Sequence, residues 1–365
     1  MRRLSAFLFL AAQCWSQSLN PTGSLAVHDP SEIIKEGSTY YLFYTGNLIP
    51  YKTSPNMIAW TAAGSALASR PSWHATSVPN NKSGDIWAPT ISYRNGQYWM
   101  YYSVSSFGSQ TSAIGLATRT SLATGSWQDQ GVVITSPIAA AGNFNAIDPN
   151  IITDTLGNVW MAWGSFWNGI FITQLNPQTG KPPAALTSAN TTNIAKRTNT
   201  ANGIEGSFII YARGYYHLFI SWDKCCAGTS STYNMRYGRS KSVTGPYVDK
   251  AGLDLATGGG GTLLSDGSGS PGGGQSVYQE NGNFYLVYHV YDGKNTPASL
   301  QIRHLYFDSQ AWPTLDPAQS VSIQTEKRLN RMAAPVWSDA FSIPWGTATR
   351  NALGRIKSEI PQVRK

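Results

Sequence analysis

Apolar positions along the chain fall into five segments with one layout: a short polar signature, an apolar run, a turn glycine and a stretch dense in aromatics. They read "DPSEIIKEGSTYYLFYTG" from Asp29, "APTISYRNGQYWMYYSV" from Ala88, "DPNIITDTLGNVWMAWGS" from Asp148, "EGSFIIYARGYYHLFISW" from Glu205 and "GQSVYQENGNFYLVYHV" from Gly274. The turn glycines, Gly37, Gly96, Gly157, Gly214 and Gly282, each follow eight or nine residues after the segment start. Alternating or wholly apolar runs on either side of such a turn predict a β-hairpin. The segments recur about every 60 residues, which leaves room for two further strands in each interval, such as "AIGLATRTS" and "NMRYGRSKS". Four strands per unit and five units predict an all-β fold, a five-bladed β-propeller over residues 17 to 325. A β-sandwich is the alternative, but it does not predict a fivefold register.

Composition agrees with β structure: 35 Gly, 20 Pro, 19 Tyr and 13 Trp accompany only 13% charged residues. The start, MRRLSAFLFLAAQCWSQS, has two arginines before an apolar run and then small and polar residues, which predicts a secretory signal peptide over residues 1 to 16. No later run approaches the roughly 18 apolar residues a membrane span needs, so the expectation is a secreted, extracellular protein that is not membrane-bound. The sequons at Asn81 and Asn190 are acceptors for N-glycans in a eukaryotic secretory pathway. Of the formal charge of +8, the leader carries two and residues 326 to 365 a net five, so the body is nearly neutral. Nucleic acid is therefore not an expected partner, and the basic tail reads as a solvated, disordered extension. Cys14 leaves with the leader, and Cys225 and Cys226 are adjacent, open to a vicinal disulfide or two free thiols. No Cys/His pattern points to zinc.

Equivalent positions of successive blades lie at similar radius and height, so the first residues of the five segments should meet near the axis. These are Asp29, Ala88, Asp148, Glu205 and Gly274. Glu205, the one charged residue between Thr198 and Ala212, is then isolated in sequence but not in space. Three carboxylates held together cost stability by repulsion and desolvation, which points to metal binding or catalysis. Trp87, Phe107, Phe166 and Trp167 beside them suit a sugar site, where one protonated acid serves the leaving oxygen and one carboxylate activates water. Glu205, among apolar neighbours and with the longest reach, reads as the acid; Asp29 and Asp148 both remain open as the base.

"HDPS", "IWAPT", "AIDPN", "GSFWNGI", "GIEGSF" and "KCCAGTSSTYNMRYGRS", in that order, resemble the endo-1,5-α-L-arabinanases of glycoside hydrolase family 43. The resemblance covers roughly residues 20 to 315. It implies a five-bladed propeller that hydrolyses internal α-1,5 bonds of arabinan, a pectin side chain, with inversion. It further implies Asp29 as base, Glu205 as acid and Asp148 as the residue that tunes the acid and orients sugar. Sugar contacts are implied at Trp87, Gly108, Asn145, Ala146, Ile147, Ser165, Phe166 and Trp167, with Phe166 and Trp167 equally open as blade core. His289, in "YLVYHVYDG", matches a histidine that helps hold a hydrated ion, often calcium, near the axis; no cofactor is expected for the chemistry. His28 reads as a contact of the base or of sugar. The expected partner is the polysaccharide and the expected state a monomer. Other readings are an exo-acting arabinofuranosidase or β-xylosidase on the same propeller, and a sugar-binding propeller without catalysis.

Overall fold

The computed structural model describes residues 19–198, 203–264 and 270–316. The leader and the basic tail of the sequence reading lie outside these residues. Five separate antiparallel meanders form, each built on one of the five hairpins, and together they make the five-bladed β-propeller that the repeat predicts. The innermost strands are Ile34–Glu36, Asp85–Arg94, Asn150–Thr153, Ile204–Ala212 and Gly272–Glu280. The expected third strands appear as Ser112–Arg119 and Asn234–Ser240.

Turn chemistry sets the hairpins. Asn95-Gly96, Arg213-Gly214 and Asn281-Gly282 all have positive φ at both central residues, the two-residue turn whose twist matches paired strands. The third blade instead closes through a longer turn, in which Asp154 Oδ1 accepts the amides of Leu156 and Asn158 at 2.9 Å.

The core lies between blades rather than along the axis. Each apolar cluster joins two neighbours: Phe43 with Met100 and Tyr102, Tyr101 with Met161 and Trp163, Ile172 with Leu218 and Tyr247, Phe219 with Leu286 and Trp312, and Leu42 with Val287 and Leu300. A middle strand is therefore covered on both faces, which explains the unbroken apolar runs of segments such as Gln97–Val104.

The ring is closed by the start of the chain. Thr22–Gly23 pairs in parallel with Ala59 and Trp60 of the first blade. The next residues bond the last blade: Val27 N–H donates to Ala298 O, and Leu300 N–H to Leu25 O.

One of the two sequons is internal to this packing. Asn81 is buried, and its Nδ2 donates to Ser105 O at 2.6 Å and Asp85 O at 3.1 Å. The expectation of a glycan there is corrected, since the amide it would use is enclosed by backbone. Asn190 is half-buried and donates to Ala185 O.

Candidate active site

Five residues at one end of the inner strands share a left-handed backbone: Asp29, Ala88, Asp148, Gly206 and Gly274, with φ between 40° and 59°. In three blades the pairing slips by one residue here, at Trp87/Thr90, Glu205/Phe208 and Gly273/Ser276. These are β-bulges, which re-aim side chains next to a site. The bulge corrects the sequence register. Gly206, not Glu205, is equivalent to Asp29 and Asp148; Glu205 stands one residue earlier, level with Trp87 and Gly273. Its carboxylate still reaches the same space as the two aspartates, whose charges it feels.

The amide of each left-handed residue is taken by a side chain. Ala88 N–H donates to Thr45 Oγ1, Asp148 N–H to Ser103 Oγ, Gly274 N–H to Ser221 Oγ and Asp29 N–H to His289 Nδ1, at 2.8–3.1 Å. Those acceptors sit at matching places on the second strands, where the third blade has Gly164, N–H bonded to Ile147 O. A Cβ on Gly164 would overlap Gly169 O, so no hydroxyl can be offered there. Gly206 N–H turns instead to Asp148 Oδ2, at 3.0 Å. The ring thus joins two of the three acids through one backbone amide.

The third acid has a separate environment. Asp29 Oδ2 faces His28 Nδ1 at 2.7 Å and accepts from Thr45 Oγ1 at 2.8 Å. Burial alone would raise this carboxyl, but the charge and hydrogen bond of His28, helped by His289 and Thr45, outweigh it and hold Asp29 well below the usual carboxylate range. His28 is raised in turn: burial opposes its charge, yet Asp29 prevails. Asp148 and Glu205 move the other way. Burial, then the charges of Glu205 and Asp29, push Asp148 well up against the Gly206 amide. Burial also raises Glu205, together with the charge of Asp29 and against the hydroxyls of Ser165 and Tyr233. Ser165 Oγ donates to Glu205 Oε2 at 2.7 Å. The surroundings of these two carboxyls thus favour the protonated form, and those of Asp29 the ionised form.

The other expected contacts divide. Trp87 begins the bulge beside the ring. Phe166 and Trp167, both at positive φ, form a tight loop in which Phe166 N–H donates to Ile204 O next to Glu205. Phe166 is 36% exposed, so it belongs to the rim and not to blade core. Gly108 lies in an exposed loop whose neighbour Phe107 is 83% exposed. Asn145, Ala146 and Ile147 are buried, and Asn145 Oδ1 accepts from Ser112 Oγ at 2.7 Å, so their side chains face the protein.

His289 was expected to help hold an ion. His28, Asp29 and His289 do place their ligand atoms within 4.8 Å of one another. Because His289 Nδ1 accepts the Asp29 amide, the neutral ring carries its proton on Nε2, which is buried with no protein partner. A proton-bearing nitrogen does not ligate a cation, and water bound to a cation turns its protons outward. Of this group it is the Asp29 carboxylate that can accept from such a water, so the set fits an ion held through water on that side.

Sequence reading missed several members of the site. Tyr233 bonds Glu205 and stacks on His289 at 5.8 Å. Tyr291 Oη lies 2.6 Å from His28 Nε2. Glu32, in the axial channel with the ring residues, has Thr90 Oγ1 at 3.0 Å from both carboxylate oxygens. Burial lifts Glu32 from its ordinary 4.5 to about 7, against the bonds from its own backbone, Ile91 and Thr90. A folded-state value above the unfolded one gives stability that is complete below about pH 4.5 and is lost as pH rises through about 7. The loss is at most about 3 kcal/mol. Glu32→Gln should therefore melt like the unmodified protein at pH 4 and higher than it at pH 8; equal midpoints at both would contradict the burial.

Volume alone would point elsewhere. A cavity of about 740 Å3 surrounds the hairpin turn of the second blade and is lined by amides, hydroxyls, Trp99 and Arg119, with no carboxylate. The axial cavity at the acids is about 40 Å3, room for a water or an ion. Asp29, Glu32 and Asp148 line the second.

Comparisons with known proteins follow the same direction. The family model for glycosyl hydrolases family 43 matches residues 18–313. An extracellular endo-α-(1→5)-L-arabinanase of Bacillus subtilis is 46% identical over 297 residues, 79% of this chain and 87% of the relative. An extracellular exo-α-(1→5)-L-arabinofuranosidase of Cellvibrio japonicus is 38% identical over 302 residues, 80% and 86% of the two chains. Among solved structures, the Cellvibrio cellulosa α-L-arabinanase complexed with arabinohexaose superposes with a TM-score of 0.74 at 38% identity, covering 81% of this chain and 96% of that one.

Proposed function

This chain belongs to glycosyl hydrolases family 43, and from that premise we propose that it cleaves internal α-1,5-L-arabinofuranosidic bonds of arabinan, outside the cell and with inversion. The observation that carries the reading is the contrast between the carboxyls' surroundings: Asp29 faces His28 Nδ1 and Thr45 Oγ1, which favour its ionised form, while Asp148 and Glu205 are buried beside each other, which favours the protonated form. Titratable groups pushed apart in one site define a base and an acid. A water polarised by Asp29 attacks the anomeric carbon as that carbon's bond to the leaving O5 breaks. Asp29 takes the water's proton, and Glu205, held by Ser165 and Tyr233, gives its own to O5. Asp148 supports that proton and, with Trp87, Phe166 and Trp167 at the rim, orients the sugar.

Support for arabinan comes from the relatives, which include both endo- and exo-acting enzymes. A hydrated cation such as calcium suits the axial position, with a water of its shell donating to Asp29 and His289 fixing the Asp29 backbone beside it. The test is product analysis on debranched linear α-1,5-arabinan with proton NMR of the first product. Mixed oligosaccharides released early, with the β-anomer first, are expected. Arabinose alone would replace endo with exo action, and an initial α-anomer would refute inversion. The same preparation after exhaustive chelation should melt earlier; an unchanged midpoint would remove the ion.

A further inference from the structure

Resting on that assignment of Asp29, we propose that the Cys225–Cys226 disulfide positions the base through Tyr291 and His28, so that a dithiol which opens it slows hydrolysis without weakening substrate binding. The two adjacent cysteines are bonded to each other in the structure. The ring this closes holds the intervening peptide, and Cys226 takes φ +64°, a left-handed conformation that a non-glycine residue adopts at a cost. That conformation directs Cys226 N–H onto Tyr291 Oη at 3.0 Å.

An amide can only donate, so Tyr291 accepts there, and the same Oη lies 2.6 Å from His28 Nε2. That bond fixes the imidazole so that its other nitrogen, Nδ1, faces Asp29 Oδ2 at 2.7 Å. A continuous run of hydrogen bonds thus links Cys226 through Tyr291 and His28 to the carboxylate. Cys226 Sγ also lies 3.7 Å from His28 Nε2, while Cys225 packs against the cluster of Tyr233, Tyr291 and Ala298. Residues from the first, fourth and fifth blades, His28, Tyr233 and Tyr291, thus meet at this disulfide, and Cys226 is exposed to a reductant.

Opening the bond is ordinary exchange. A dithiol's thiolate attacks one sulfur, its second thiol displaces the mixed disulfide, and two electrons and two protons leave Cys225 and Cys226 as thiols and the reductant as a cyclic disulfide. Cys226 is then free to leave φ +64°, Tyr291 loses its donor, and His28 is no longer held in one orientation. Tyr291 and the cysteines do not touch the reacting atoms in this scheme; they act by holding His28.

The test uses the full chain with Cys14→Ser, so that no other thiol remains, assayed on linear arabinan with and without dithiothreitol. Thiol titration confirms reduction and a melting curve confirms folding. Reduction should lower kcat about three- to tenfold, the effect of losing one hydrogen bond, with KM unchanged. Tyr291→Phe should show the same fall and no further response to dithiothreitol. Unchanged kcat in a reduced, folded enzyme would overturn the proposal, as would a rise in KM alone, which would make the disulfide a sugar contact. An equal response in Tyr291→Phe would also overturn it. A second readout does not depend on substrate: the His28 ring nitrogens, followed by 15N NMR, should shift on reduction in the parent and not in Tyr291→Phe. If arabinan is not hydrolysed at all, the substrate reading falls while this signal still decides the positioning.

Discussion

Asp29→Asn should lower kcat on linear arabinan by about 10^2- to 10^4-fold and leave KM within a few-fold, the pattern of a proton-transfer group acting mainly in the transition state. The asparagine keeps the shape of the side chain and its bond from Thr45, but it cannot take a proton from water. Glu205→Gln should lose a similar factor on arabinan for a different reason, because the leaving O5 must be protonated as it departs. The two variants part company on an aryl arabinoside, whose phenolate leaves without help. There Glu205→Gln should recover most of its activity and Asp29→Asn should recover none. Recovery in the Asp29 variant instead would exchange the two roles, and full activity of both on arabinan would remove the site from catalysis.

The second large effect is expected at Asp148, through pH. In the proposed mechanism, activity requires Asp29 ionised and a proton on the Asp148/Glu205 pair. His28 holds Asp29 low, so the acidic limb of kcat/KM should lie below the ordinary carboxylate range. Burial and mutual charge raise the pair, so the alkaline limb should lie above it. In Asp148→Asn the proton must be kept by Glu205 alone. The alkaline limb should then move to lower pH and the acidic limb stay, giving a loss on the order of ten- to a hundredfold at pH 8 and little at pH 5. A loss of equal size at every pH would leave Asp148 with a sugar-binding role only.

The blades were legible because their cause is local. A glycine at positive φ between two apolar runs is a turn whatever surrounds it, and Gly37, Gly96, Gly157, Gly214 and Gly282 all adopt that conformation. The convergence of Asp29, Asp148 and Glu205 followed from symmetry. Its one error followed from symmetry too: a left-handed residue shows in sequence only when it is glycine, as at Gly206, and Asp29, Ala88 and Asp148 adopt it without that mark. The supporting groups were not legible. His28 and Tyr291 stand 263 residues apart, and no pattern in either segment announces the other. Asn81 shows the converse, a motif read correctly as a string whose amide the fold encloses.

The seal at the start of the chain bears on how the three acids keep their places. Leu25 and Val27 bind the last blade, and Asp29 follows two residues later with its amide on His289 of that same blade. The bonds to its carboxylate, from His28 and Thr45, lie within the first blade, so what the closure of the ring adds is the seating of its backbone. Asp148 and Glu205 stand on the third and fourth blades. A chain opened at this seam would keep all three carboxylates and lose the fixed place of one of them against the other two.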